Sequence, residues 1–494
     1  MSSQRQAYDV TVVGGGHNAL VAAAYLARAG LSVLVLERLE RRGGVAGATD
    51  LFPGHGARFA RHSSFLSPLP LGVVEELGLD LPRAPLPTPC APPPGHDDHE
   101  AWRAFHTDVA GVIDRVAPTL LEPLPVERAV REAVDDAAWA DLVLRPIGET
   151  VERRFTDDTV RGLVAADALV GTSASLHDPS LAPNRTFLHR HLGRRPGADQ
   201  PLPLGGRGAD LLAQAAVEAG AEILTSAGVS RIEGGDEGAE VTWHDATGGH
   251  TVGSRHVLSD VAPWVLRILL GDGEDPDSKP AGSQLAITML VERLPSLRSG
   301  DDPATALAAG LPVGGYAGLE QARLDAAEGR LPAALPGELR SPSLLETGVL
   351  GDESADGRHL LTFLGHHTPA ALFAHDRDAR RDEAVERALA SIDELLTEPV
   401  RSLLATDHDG SPCLTAAVPQ DVEDDLATPG GQLFHGDLEW PWAPNRARLE
   451  TPAQRWGVQT DVGSVLVCGS GARRAGVVAG VGGHNAAQAV LEGR

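Results

Sequence analysis

The chain has 494 residues, enough for two or three domains, and carries 42 Lys and Arg against 68 Asp and Glu, so its formal charge is 42 − 68 = −26. That balance excludes nucleic-acid binding by phosphate neutralisation, and no Lys/Arg-rich amphipathic segment is present to hold an anionic membrane surface. Three well-separated cysteines, Cys90, Cys413 and Cys468, exclude a disulfide framework, a CxxC-type zinc site and redox chemistry on a neighbouring thiol pair.

The opening MSSQRQAYDV contains no apolar signal core. No apolar run reaches the roughly 18 residues that span a bilayer. The expectation is a soluble, cytoplasmic protein. Asp9–Val13, DVTVV, is a β-branched run suited to a buried parallel strand. Gly14, Gly16 and Ala19 come next at the GxGxxG/A spacing, around His17 and Asn18. Gly14 suits a tight turn, Gly16 lets the backbone approach a pyrophosphate, and Ala19 lets helix pack closely on strand. NALVAAAYLARAG is then an Ala-rich helix stopped by Gly30, with its free N–H groups and positive dipole end aimed at phosphate. LSVLVLE is the second strand, closed by Glu37, whose carboxylate can accept hydrogen bonds from a ribose and repels a 2′-phosphate. This β-α-β unit predicts a dinucleotide site without choosing between FAD and NAD.

Residues 82–95, PRAPLPTPCAPPPG, read as an extended crossover. Roughly 100–195 reads as helices, including HEAWRAFHTDVAGVIDRVAPTLL and VERRFTDDTVRGLVAADALVG. Gly205, Gly206 and Gly208 mark a loop before the helix ADLLAQAAVEAG, and AEILTSAGVSRI supplies two strands. GHTVGSRHVLSDVAP ends a hairpin region and returns the chain toward the dinucleotide. SQLAITMLVERLP and GRHLLTFLGHHTP read as strands, and RRDEAVERALASIDELL as an amphipathic helix. SVLVC, a glycine loop and a final helix close the chain.

Three segments resemble one family. The acid–Arg pair Glu37–Arg38, with Gly43–Gly44 just beyond it among small residues, is similar to the second fingerprint of the amine oxidase and phytoene desaturase superfamily of FAD enzymes. GGGHNALVAAAYLARAG resembles its phytoene-desaturase-like branch, that of pyridine nucleotide-disulfide oxidoreductase domain-containing protein 2, which needs no cysteine pair. Residues 201–235 and 463–494 extend the resemblance. It implies an α/β fold: a Rossmann-like FAD-binding domain of glutathione-reductase/amine oxidase type with an inserted α+β substrate domain. The cofactor domain would comprise 1–80, 200–270 and 440–494, and the substrate domain 81–199 and 271–439. The cofactor would be FAD. Val229 would hold the adenine through its backbone. Gly469 and Ser470 would begin the closing segment, with Ser470 where many relatives carry an acid. Val478 and Ala479, entering the final helix, would face the flavin pyrimidine ring.

The chemistry implied by the resemblance is that of an FAD-dependent oxidoreductase. It would desaturate or dehydrogenate a small-molecule or carrier-bound organic substrate and pass electrons to oxygen or another acceptor. Flavin amine oxidation and a non-catalytic FAD-binding assembly factor are the alternatives. An aromatic cage marks the amine oxidases, yet aromatics are 4% of this chain. Trp440 and Trp442 in EWPWAP either wall a substrate or sit in a surface turn. Among 19 histidines, His62 and His435 are the candidate catalytic residues, because their chain neighbours should bring them to the flavin, Arg61 lining it alongside His62. His366 and His367 end a strand of the substrate domain. No metal-ligand spacing appears, so no metal is expected; an oligomer is compatible with the sequence.

Overall fold

The computed structural model describes residues 6–62, 67–87, 91–194, 199–201, 207–351, 357–476 and 478–494; Cys90, Gly205 and Gly206 lie outside them. The first apolar run forms the strand Ala7–Val13, and its neighbour Val33–Leu36 is buried along its whole length. Unbroken burial is what an interior parallel strand requires, and each fully buried Val or Leu side chain contributes about 1.5–3 kcal/mol. The sheet runs Glu222–Leu224, Val33–Leu36, Ala7–Val13, Gly248–Ser259, Ala239–Asp245, Gly228–Gly234, with Val465–Val467 also paired to Gly248–Ser259.

The strand Gly248–Ser259 does two jobs. Its first half closes an antiparallel hairpin with Ala239–Asp245. Its second half runs parallel between Ala7–Val13 and Val465–Val467. Register pairs Val13 with Ser259, so Gly14 and Asp260 leave the sheet side by side. That is the carboxyl end of the parallel strands, where α/β sheets bind ligands.

The helix His17–Arg28 is buried from His17 to Ala27. It packs between the helix Gly208–Glu218 and the final helix Val481–Glu492. Alanine on these faces keeps the helices close.

A second sheet is antiparallel, in the order Leu311–Val313, Gly337–Arg340, His359–Pro369, Ser283–Val291, Leu414–Ala417. The helix Arg377–Asp393 buries Ala384, Ala388 and Ile392 in the core of that sheet. The helices between 99 and 193 form a third core around Trp102, Phe105, Trp139 and Phe155.

Two features differ from the sequence expectation. VERRFTDDTVRG is two helices, because Phe155 and Asp157 are extended and the Asp157 carboxylate caps the second by accepting from Val160 N at 3.0 Å. Trp442 is 2% exposed and packs 5.3 Å from Trp139 and 5.1 Å from Trp440. It belongs to the helical core and is not part of a surface turn. No helix among the described residues is long and apolar enough to cross a membrane.

Candidate dinucleotide site

Gly14 turns the chain at φ +97°, a conformation glycine adopts without cost. Its N–H is held by Leu36 O at 2.9 Å, and Gly43 N donates to Gly15 O at 2.7 Å. The two glycine pairs are therefore stacked: a Cβ on Gly44 would lie 3.1 Å from Gly16 Cα. Glu37 secures the turn with both oxygens. Oε2 accepts from Gly15 N at 2.7 Å, and Oε1 from Leu39 N at 2.8 Å. A carboxylate has about four lone-pair sites, so Glu37 keeps capacity for a ribose.

The sequence leaves the amides at the start of the helix His17–Arg28 open for phosphate. The structure gives Gly16 N to the Asp260 carboxylate, Oδ2 at 2.8 Å, and Ala19 donates to the same side chain. A Cβ on Gly16 would overlap Asp260 Oδ2. Burial is the first cause that raises this carboxyl, and the nearby Glu37 charge adds to it against the Gly16 bond; the group is pushed up to about 7. Sequence reasoning misses Asp260, whose only signal is an isolated acid directly after the apolar run HVLS.

One cavity brings together Gly14, Gly16, His17, Asn18, Glu37 and Arg38. Gly44, Val229, Asp260, His435 and Ser470 line it too. Trp440 and Trp442 do not. The segment covering it, 422–438, contributes Val422, Leu433, Phe434 and Leu438 to the same core as the first sheet. That packing carries His435 to the glycine turn.

Burial holds both His17 and His435 down to about 4, His17 also through the nearness of His435. Both rings are thus neutral at pH 7. His17 Nε2 and His435 Nδ1 are buried without a hydrogen-bond partner. His435 also sits at φ +65°, a left-handed conformation costing a non-glycine residue about 1–3 kcal/mol. Orphaned donors and acceptors beside a phosphate turn fit a polar ligand such as the diphosphate or ribityl chain of a dinucleotide.

Asn18 ties the last segment to this site, since its Oδ1 accepts from Gly480 N at 2.8 Å at the start of the final helix. Gly469 packs against the Asp260 backbone. Ala19, Val478 and Ala479 are buried and do not line this cavity; Val478 packs instead into the helical core. Gly43 supports the turn from behind.

His62 is buried, and its Nε2 lies 2.9 Å from Asp425 Oδ2; Arg61 Nη1 reaches the same oxygen at 3.3 Å. The hydrogen bond from His62 is the first cause that holds Asp425 below the usual carboxylate range. Asp425 stands on the helix Pro419–Leu426, which supplies Val422 and Leu426 to the cavity. His62 itself is not on the cavity wall. His366 and His367 are buried at the end of the strand His359–Pro369, also off that wall, and neither ring nitrogen of His367 has a partner.

Residues 12–69 match the model of the NAD(P)-binding Rossmann-like domain. Over 540 aligned positions the chain is 39% identical to Uncharacterized protein Rv0897c of Mycobacterium tuberculosis, covering 99% of this chain and 98% of that one. It is 26% identical over 571 positions to pyridine nucleotide-disulfide oxidoreductase domain-containing protein 2 of Rattus norvegicus, covering 98% and 93%. Cyclohexylamine oxidase from Brevibacterium oxydans has a similar fold, with a TM-score of 0.56 at 17% identity across 98% of both chains.

Proposed function

The chain belongs to the family of the Rv0897c protein of Mycobacterium tuberculosis, homologous to pyridine nucleotide-disulfide oxidoreductase domain-containing protein 2 and built on the amine oxidase fold, and on that premise we propose that it is an FAD-dependent oxidoreductase that dehydrogenates an organic substrate. One observation carries the reading. A phosphate-type glycine turn, a ribose-competent carboxylate and two orphaned neutral imidazoles converge on a single cavity at the carboxyl end of a parallel sheet. FAD, when bound, would accept a hydride from a substrate C–H and deliver electrons to oxygen or another acceptor.

The chain's own residues do the rest. The Gly14–Gly16 turn and the helix behind it receive the diphosphate, and Glu37 receives a ribose. Val229 and Arg38 flank the same wall. His17 and His435, held neutral by burial, each offer one ring nitrogen as donor or acceptor. Ser470 adds a hydroxyl. His62 acts as a positioning residue, fixing the helix that closes the cavity through Asp425. We assign no side chain as an obligatory base. Acting in the cytoplasm on a small-molecule or carrier-bound substrate is part of the same proposal.

The test is the visible spectrum of the purified protein, then anaerobic addition of organic donors. Oxidised-flavin bands that bleach with a donor support the proposal. Bands that resist every donor favour an FAD-binding assembly factor. A colourless protein that cannot be reconstituted with FAD overturns it. His17→Ala and His435→Ala should each weaken FAD binding about fivefold, since each loses a hydrogen bond worth about 1 kcal/mol. Quenching of FAD fluorescence on titration reads this directly. His435→Gly should weaken binding equally, and because glycine releases the left-handed strain that alanine keeps, its free protein should be more stable than that of His435→Ala.

A further inference from the structure

A second cavity lies where the helical core meets the antiparallel sheet. Three guanidinium groups line it: Arg190 on the helix Ala182–Gly193, Arg194 just beyond its end, and Arg340 on the strand Gly337–Arg340. Two carboxylates line it as well, Asp167 and Glu338. Arg190 Nε donates to Asp167 Oδ1 at 2.7 Å, and its Nη2 pairs with Glu338 Oε2. Arg340 Nε pairs with Glu338 Oε1. Arg190 and Arg340 thus engage both carboxylates. Among the described residues Arg194 has no carboxylate within ion-pair reach.

The histidines do not change the balance in the direction of neutrality. His191 Nε2 lies 3.5 Å from Asp167 Oδ2, but burial holds the ring down to about 4. Burial also lowers His106. Both are uncharged at neutral pH. Burial pushes Arg194 down to about 9, with Arg190 adding repulsion and the more distant Asp167 charge opposing it, so it still carries its proton. Burial, then repulsion from Arg194 and Arg190, lowers Arg340 as well, but a guanidinium keeps its proton in proteins, so among the described residues three cations face two anions in a cavity whose remaining walls include Trp102, Phe187 and Leu163. A half-buried cation without a direct ion-pair partner is costly, and guanidinium groups match planar oxyanions in a two-point grip. Gly310 keeps the space open, because a Cβ there would overlap Glu338 Oε1 and come 2.6 Å from Arg340 Nη2.

We propose that this cavity binds the carboxylate of a small organic acid, with Arg194 as its ion-pair partner and Trp102 and Phe187 against its carbon chain. A single residual charge fits a monoanion better than a phosphate dianion. The helix carrying Arg190 ends at Gly193, which packs against Ser67 and Val478. The two cavities share no lining residue, so carboxylate binding here does not depend on the flavin proposal.

Equilibrium dialysis of the purified full-length protein against radiolabelled butyrate, at constant ionic strength in chloride, tests it. The expected result is saturable binding of one butyrate per chain. Arg194→Gln should weaken it at least tenfold, Arg194→Lys should retain part of it, and Arg128→Gln, on an exposed helix face, should leave it unchanged. Butyrate should also raise the thermal midpoint of the wild-type protein above that in equivalent chloride. Absence of saturable binding, or equal binding by Arg194→Gln, overturns the proposal. Displacement of butyrate by inorganic phosphate at lower concentration than by unlabelled butyrate also overturns it, because the site would then be built for phosphate.

Discussion

Asp260→Asn should tighten FAD binding about tenfold at pH 8 and leave it near the wild-type value at pH 6. Asp260 occupies the Gly16 amide that a diphosphate needs, and its carboxyl is pushed up to about 7. Below that pH the side chain is neutral and can share the turn with a phosphate, even donating to it. Above it, a carboxylate and a diphosphate compete for the same amides. Two like charges about 4 Å apart repel by roughly 4 kcal/mol at an effective dielectric near 20, so about tenfold is a conservative expectation. Asparagine keeps an oxygen for Gly16 N and removes the charge.

The free protein should show the same group in its stability. The folded-state value of Asp260 lies above the ordinary aspartate value of 3.8, so the folded chain holds a proton that the unfolded chain has released. Its contribution is complete below about pH 4 and is lost as pH rises to about 7, a change of about 4 kcal/mol at 1.36 kcal/mol per unit. Urea midpoints of Asp260→Asn should lack this component, narrowing the gap between pH 5 and pH 8. Weaker FAD binding by the variant at both pH values would mean that the ionised carboxylate supports the turn, and would reverse the assignment.

Why Asp260 is invisible in the sequence while Glu37 is not is a matter of distance along the chain. Glu37 belongs to the same β-α-β unit as the glycines, so local spacing reports it. Asp260 reaches Gly16 only because two parallel strands far apart in sequence align Val13 with Ser259. No periodicity encodes that register. His435 is reachable by reasoning from its chain neighbours, and it lines the cavity. The same reasoning points to His62, but its ring turns to Asp425 instead, a partner supplied by a helix from the other end of the chain. The arginine cavity is not legible at all, since it assembles four helices and two strands whose individual charges look like ordinary surface residues. Trp442 misleads because its flanking prolines suggest a turn, whereas its partner Trp139 is set by tertiary packing.

The same substitution, glycine to alanine, should have opposite effects at two helical positions. At Gly483 it should cost at least about 3 kcal/mol and strip the protein of FAD. The helices His17–Arg28 and Val481–Glu492 touch there backbone to backbone. A Cβ on Gly483 would overlap the Asn18 carbonyl oxygen and come 2.8 Å from Asn18 C and 3.1 Å from Ala22 N. None of these atoms can rotate away, so the helices must separate. Separation breaks the Asn18 Oδ1 bond to Gly480 N and moves the start of the phosphate helix, so stability and cofactor retention should fall together. At Gly111, exposed within the helix His99–Val116, an added Cβ meets nothing within 4 Å. There alanine should raise stability by about 0.5–1 kcal/mol through its better helix propensity and leave FAD binding untouched. Urea midpoints and FAD content of the two variants measure both effects. A mild loss at Gly483 would mean that the two helices can slide apart without cost, and that the final segment is not the rigid wall from which the dinucleotide site is built.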